Sequence, residues 1–168
     1  VMYPGQDFTR ESWLGHNSAG RLIQNDGTTG TTVLDQALFF AGSTGVTWDQ
    51  LFALPRDPDA LYEWLKQSVG DAGHDVDSEM FVAVGDLLRE SPAPPSLRQS
   101  LFEVAAKIPD IELTPGITDA LGRQATAVSR TNPYGNGSVR YLIDASTGAL
   151  LEEQHINPDG SISFQSTV

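Results

Sequence analysis

The hydrophobic positions in the middle of the chain recur every three or four residues, which is the spacing of one face of an α-helix. Residues that cap or stop helices separate these stretches. Thr47 precedes the first stretch and Pro55 stops it. Asp57 precedes the second, with Pro58 at the first helical position, where proline is tolerated, and Gly70 at its end. The pattern predicts four helices, at residues 47–54, 57–70, 75–90 and 96–108.

On both sides of the helices the hydrophobic period changes to two, as in strands with one buried face. Residues 8–14 and 21–24 predict an antiparallel hairpin, and residues 25–32 predict a loop rich in glycine and threonine. Residues 33–41 are short and apolar, so we expect a short helix there, with a strand as the alternative. After the helices, turn signals recur regularly and predict a meander of four or five strands. The predicted turns of the meander are 119–123, 132–137, 144–148 and 157–160.

The order of hairpin, helices and meander indicates an α+β fold. We expect one curved antiparallel sheet, made of the N-terminal hairpin and the C-terminal meander, packed against three to four helices in a half-barrel-like arrangement. A chain of 168 residues is long enough for a single domain with its own core. Because it opens on Val1, we expect it to be a fragment of a longer chain.

The chain is acidic, and this charge argues against one class of partner. Its 22 Asp and Glu residues outnumber 10 Lys and Arg residues, for a net charge of −12. Nucleic acid would be repelled, and the basic residues form no stripe, so we expect no nucleic-acid partner. The chain has no cysteine, which excludes disulfides and thiolate chemistry. It also has no apolar run of the roughly 20 residues that a membrane-spanning helix needs.

One cluster of polar residues precedes the third predicted helix and is the only weak candidate for a metal site. Acids at alternate positions there suggest a calcium loop, but Met80 stands where an EF-hand needs glycine, and Asp86 stands where it needs glutamate. Helix capping explains the same acids without a metal, so we expect no metal and no cofactor. The candidate residues are Asp71, His74, Asp75 and Asp77.

Five aromatic residues are more than the predicted helices need for their own packing. A curved sheet over helices can leave an apolar groove, and these side chains are candidates to line it. The alternative is that all five belong to the core. The candidate groove residues are Trp13, Phe39, Phe40, Trp48 and Trp64.

No combination of residues indicates catalysis. The serines occur in neither a Gly-x-Ser-x-Gly nor a Ser-x-x-Lys pattern, and no two histidines have the spacing of a metal-binding pair. Glu152 and Glu153 are adjacent in a predicted strand and therefore point to opposite faces. We therefore name no catalytic residue.

Several segments resemble an uncharacterised actinobacterial family whose members are anchored in the membrane. The segments are LPRDPDAL at 54–61, VGDLLRESP at 84–92, PSLRQSL at 95–101, DALGR at 119–123, YLID at 141–144 and TGALL at 147–151. The resemblance implies a single transmembrane helix, outside the present chain, followed by an extracytoplasmic domain. That family has no assigned activity, so no functional residue can be transferred. The layout is also similar to the half-barrel domains of lipoprotein carriers and periplasmic stress sensors, a similarity of fold alone.

These observations lead to the expectation of a non-enzymatic binding or sensory domain, attached to the membrane only through a segment that this chain lacks. Its expected partner is an apolar ligand or another protein. One alternative is an interaction module that uses a sheet edge at residues 21–24 or 161–168. Others are a module of the peptidase-inhibitor type and a hydrolase.

Overall fold

The computed structural model describes residues 9–16, 20–25, 30–34, 39–42, 44–70 and 75–168. The helices of this part of the chain are α1 (Trp48–Ala53), α2 (Pro58–Val69), α3 (Val76–Glu90) and α4 (Pro95–Lys107). The strands before them are β1 (Thr9–Trp13), β2 (Gly20–Asn25), β3 (Gly30–Leu34), β4 (Phe39–Ala41) and β5 (Thr44–Val46). The strands after them are β6 (Ile111–Thr118), β7 (Gln124–Thr131), β8 (Ser138–Asp144), β9 (Ala149–Ile156) and β10 (Ile162–Thr167).

The predicted α+β class and the antiparallel meander are confirmed. Strands β6 to β10 form one sheet in the order of the chain, with every neighbouring pair antiparallel, and the sheet does not close into a barrel. The four predicted turns connect these strands. At 144–148, for example, the N–H groups of Thr147 and Gly148 donate to the carbonyl of Asp144.

The N-terminal strands differ from the prediction of one continuous sheet. The hairpin of β1 and β2 forms, but it pairs with β3 in a separate three-stranded sheet, and β4 and β5 form a two-stranded sheet of their own. β3 lies only a few residues after β2, so this local pairing costs less loop-closure entropy than reaching the distant meander. The predicted loop at 25–32 is therefore wrong at Asn25, which ends β2, and at residues 30–32, where β-branched threonines favour an extended strand. Residues 26–29 lie outside the described residues.

The uncertain segment 33–41 is extended in the residues that the structure describes. The end of β3 and the whole of β4 lie in it, and residues 35–38 lie outside the described residues. Of the two expectations for this segment, the strand is correct at both ends.

The helix boundaries follow the predicted caps. The side chain of Thr47 accepts a hydrogen bond from the Gln50 N–H at 3.3 Å, and the Gln50 side chain accepts one from the Thr47 N–H at 2.9 Å. This reciprocal pair is a capping box. Asp57 accepts a hydrogen bond from the Ala60 N–H at 2.9 Å, and Gly70 ends α2 with a φ of 59°. Local chemistry therefore fixes where α1 and α2 begin and where α2 ends.

The main core lies between the helices and one face of the meander. The meander contributes Val128, Tyr141, Ile143 and Leu150 to it. The largest fully buried side chains from the helices are Leu51, Leu61, Leu65, Met80, Leu87, Leu97 and Leu101. The opposite face of the meander, here called the outer face, carries a small apolar cluster. None of the helices described has the length and the apolar character that a bilayer crossing requires.

Candidate functional site

A cleft of about 630 Å³ lies between β5, α1 and α2 and is here called the Trp64 cleft. Its apolar lining comes from Val46, Ala53, Leu54, Pro55 and Trp64. Val46 and Leu54 are buried core residues, so the base of the cleft is continuous with the core. Gln67 is one of the polar residues that also line it. A volume of this size falls within the range of about 300–1,000 Å³ that is typical of small-molecule sites.

A hydrogen bond between β5 and α2 and a proline after α1 hold the elements around the cleft in place. The Thr44 hydroxyl on β5 donates to the carbonyl of Ser68 on α2 at 2.7 Å. Proline at position 55 has no N–H and ends α1, which turns the chain before α2 begins. These constraints fix the positions of three of the cleft walls.

Trp64 differs from Trp48 in how its indole N–H is used. The indole N–H of Trp48 donates to the carbonyl of Gly15 at 3.1 Å. That of Trp64 has no hydrogen-bond partner within the described part of the chain. Since Trp64 packs against the core while lining the cleft, it offers both an apolar ring and a free donor to a ligand.

The candidate groove residues whose side chains the structure describes do not form one site. Trp13 is 48% exposed on β1, where the Arg21 guanidinium lies 5.2 Å from its ring centre. Phe39 is only 1% exposed and belongs to the main core, which agrees with the core alternative for this residue. Its ring meets Trp48 edge-to-face, with 5.4 Å between centroids, and the Phe40 side chain lies outside the described residues. Of the four candidates whose side chains the structure describes, Trp64 is the one that lines the cleft.

One acid of the candidate metal cluster, Asp75, makes contacts that need no metal. The Asp75 carboxylate caps α3, and it pairs with Arg130 on β7 at 2.7 Å. The hydrogen bond from Ser78, together with Arg130, lowers the pKa of Asp75. Asp71 and His74 lie outside the described residues, and Asp77 bonds to Asp75 only through its backbone N–H. Among the residues described, three or more metal-binding side chains nowhere come together.

A network of charges that the sequence did not indicate connects α3 to β9. Arg89 donates to Glu153 at 2.5 Å and also pairs with Asp86 on its own helix. His155 lies 3.0 Å from the other oxygen of Glu153. Glu153 thus points toward the helices. Glu152 instead accepts from the backbone N–H of Ala120 and so points to the outer face, which confirms the predicted opposition of the two carboxylates.

This network predicts a pH dependence of stability. Burial would raise the pKa of Glu153, but the hydrogen bond from His155 and the charge of Arg89 outweigh burial and hold it below its ordinary value of 4.5. A depressed carboxylate pKa stabilises the fold above the ordinary pKa and loses this contribution as the pH falls through the folded pKa. We therefore expect Glu153→Gln to lower the free energy of unfolding by about 2 kcal/mol at neutral pH.

The test is urea unfolding of both proteins across the acidic range. Their difference in stability should shrink as the pH falls below 4.5. Glu63→Gln, on the exposed surface of α2, makes the same chemical change outside the network and should shift stability little at any pH. A difference between Glu153→Gln and the parent that stays constant down to the acid transition would contradict this account.

Comparison of the chain with protein-family models, with curated proteins and with solved structures finds no match. The predicted resemblance to the membrane-anchored actinobacterial family therefore remains a prediction. The assignment of a function depends on the site geometry alone.

Proposed function

We propose that this chain is a non-catalytic binding domain that takes an apolar ligand into the Trp64 cleft. The observation that carries the proposal is the free indole donor of Trp64 at an apolar cleft of small-molecule size. Apolar walls with a few fixed polar groups are the usual construction of a ligand site. The ligand class that fits is a molecule with an apolar body and one hydrogen-bond acceptor, such as the acyl chain and ester carbonyl of a lipid.

A lipid ligand is consistent with the proposed setting of the domain outside the cytoplasm and close to a membrane. The support for that setting is the resemblance of six short sequence segments to the membrane-anchored family, and it does not depend on the contacts of the cleft. The lipid proposal can therefore fail while the location is right, and the two need separate experiments.

Native mass spectrometry tests the ligand directly. The purified chain is delipidated, offered a bacterial lipid extract, and examined for retained mass. We expect the parent protein to retain lipid and Trp64→Ala to bind it at least about tenfold more weakly, since large aromatic contacts in a pocket are worth about 2 kcal/mol.

Trp13→Ala is the matched control, because it removes the same side chain from an exposed strand outside the cleft. It should bind lipid like the parent. A parent protein that retains no lipid, or a Trp13→Ala variant that loses it to the same degree as Trp64→Ala, would contradict the assignment of the cleft.

The second candidate function is recognition of another protein through strand β10. This strand is an edge of the five-stranded sheet and pairs only with β9, as predicted for residues 161–168. The other predicted edge, at residues 21–24, is wrong, because β2 lies between β1 and β3. An edge strand offers unpaired backbone groups to an incoming strand. A photo-cross-linker at Gln165, on the exposed side of β10, would capture such a partner in native membranes or show none.

A further inference from the structure

A second, polar pocket lies on the outer face of the meander and is here called the Arg140 pocket. Its volume is about 210 Å³. Three directly opposed residues line it, namely Glu112 on β6, Ser129 on β7 and Arg140 on β8, and Gln154 on β9 continues this row beyond the lining. Since neighbouring strands are about 4.8 Å apart, the backbones of Glu112 and Arg140 are roughly 10 Å apart. Only the small Ser129 side chain stands between them.

Arg140 stands without a partner in the described part of the chain. Within the residues that the structure describes, its side chain makes no hydrogen bond and no ion pair, although acids outnumber bases by more than two to one in the chain. By contrast, Arg89, Arg123 and Arg130 each pair with a carboxylate. Guanidinium donors that have no partner in the protein remain available to a hydrogen-bond acceptor on a ligand.

The buried surroundings of Arg140 determine which of its atoms a ligand can reach. Its Nε atom is closed to solvent and has no hydrogen-bond partner among the described residues. The same holds for the Oε1 atom of Gln154, the residue opposite Arg140 on β9. Gln154 is only 8% exposed, and its Nε2 donates to Glu152 at 2.6 Å, so this neighbour is held in place. The two terminal Nη groups are the part of Arg140 that remains accessible. They can bind a carboxylate end-on with two parallel hydrogen bonds.

The other side of the pocket carries the opposite charge. Asp110 and Glu112 line it, and neither side chain is paired with another side chain among the residues described. A simple anion at Arg140 would be repelled by these two carboxylates, and a simple cation would be repelled by Arg140. A ligand with both charges is attracted at both ends. Ile117 and Ala127 add an apolar part to the lining.

We propose that the Arg140 pocket binds a small aliphatic amino acid as its zwitterion. The ligand carboxylate accepts hydrogen bonds from the Nη groups of Arg140, and its ammonium group donates to Glu112 and Asp110. The side chain of the ligand packs against Ile117 and Ala127. This site is independent of the Trp64 cleft and does not rest on the function proposed for that cleft.

Calorimetric titration with L-valine tests the proposal, with two analogues that each remove one charge. N-acetyl-L-valine has no ammonium group, and L-valinamide has no carboxylate. We expect saturable binding of L-valine at millimolar concentrations or below, and binding at least about tenfold weaker for each analogue, because each loses its charge-assisted hydrogen bonds.

Variants of the protein test the same contacts by removing the protein groups instead of the ligand groups. Arg140→Gln and Glu112→Gln should each weaken L-valine binding at least about tenfold. Ser129→Leu should block the pocket without changing any charge, while Lys66→Gln, on the exposed surface of α2, should bind like the parent. Thermal unfolding confirms that each variant is folded.

Three results would overturn the proposal. They are the absence of L-valine binding to the parent protein, equal binding of N-acetyl-L-valine, and unchanged affinity in a folded Arg140→Gln variant. The second would show that the site recognises a carboxylate alone.

Discussion

Replacing Gly85 with alanine is expected to destabilise the protein, although the same change at an ordinary position inside a helix is stabilising by about 1 kcal/mol. Gly85 lies in α3 directly against Tyr141 of β8, and a Cβ atom built on Gly85 would overlap the phenol ring. Tyr141 is buried and its ring also contacts Phe81, with 4.6 Å between centroids, so it cannot move aside freely. The overpacking cost of about 3 kcal/mol exceeds the gain in helix propensity, which leaves a net loss of about 2 kcal/mol.

A double-mutant cycle measured by urea unfolding separates the two effects. In a Tyr141→Val background the ring is gone, and Gly85→Ala should then stabilise the protein or leave it unchanged. The effect of Gly85→Ala on the free energy of unfolding should therefore differ strongly between the two backgrounds, and the substitution should be destabilising only when Tyr141 is present. Equal costs of Gly85→Ala in both backgrounds would show that the loss of stability does not come from a clash with Tyr141.

Leu101→Ala is expected to cost about 2–5 kcal/mol of unfolding free energy, the largest effect that we predict for a single substitution. Leu101 is 0% exposed in α4, within the core between the helices and the meander. Truncation removes buried methyl groups and leaves a cavity that the packed neighbours fill only in part. Chemical denaturation monitored by circular dichroism measures the effect.

Leu121→Ala provides the matched control for this core substitution. Leu121 is 69% exposed in the turn between β6 and β7, so the same chemical change there should alter stability by no more than about 0.5 kcal/mol. Similar costs at the two positions would mean that the core does not lie where the structure places it.

The helices and the meander could be predicted because their signals are local. Thr47 and Asp57 cap α1 and α2 through hydrogen bonds to residues three positions later, so sequence spacing contains the whole interaction. The turn at 144–148 is similarly short. The sequence predicts residues 30–32 wrongly because glycine and threonine occur in both loops and strands, and only the pairing of β3 with β2 decides between them.

The site could be predicted only in part, because its contacts join distant positions. The aromatic ring of Trp64 makes it a candidate from the sequence, but the residues that line the cleft come from β5, α1 and α2 and from the turn after α1. Arg89 and Glu153 are 64 residues apart, and Arg130 and Asp75 are 55 residues apart, so no spacing in the sequence indicates these pairs. The lack of a bonding partner for Arg140 among the described residues is still harder to predict, because an interaction that is absent leaves no pattern in a sequence.

Arg130 affects how cooperatively the protein unfolds. Its guanidinium donates to Asp75 and Ser78 at the start of α3 and to the carbonyl of Pro109 in the segment before β6, while its own backbone belongs to β7. Detachment of the helical layer would break the hydrogen bonds from Arg130 to Asp75 and Ser78 together and expose the apolar face of the sheet, which is costly. Intermediates in which helices and meander separate are therefore raised in free energy, and this favours all-or-none unfolding of the two layers.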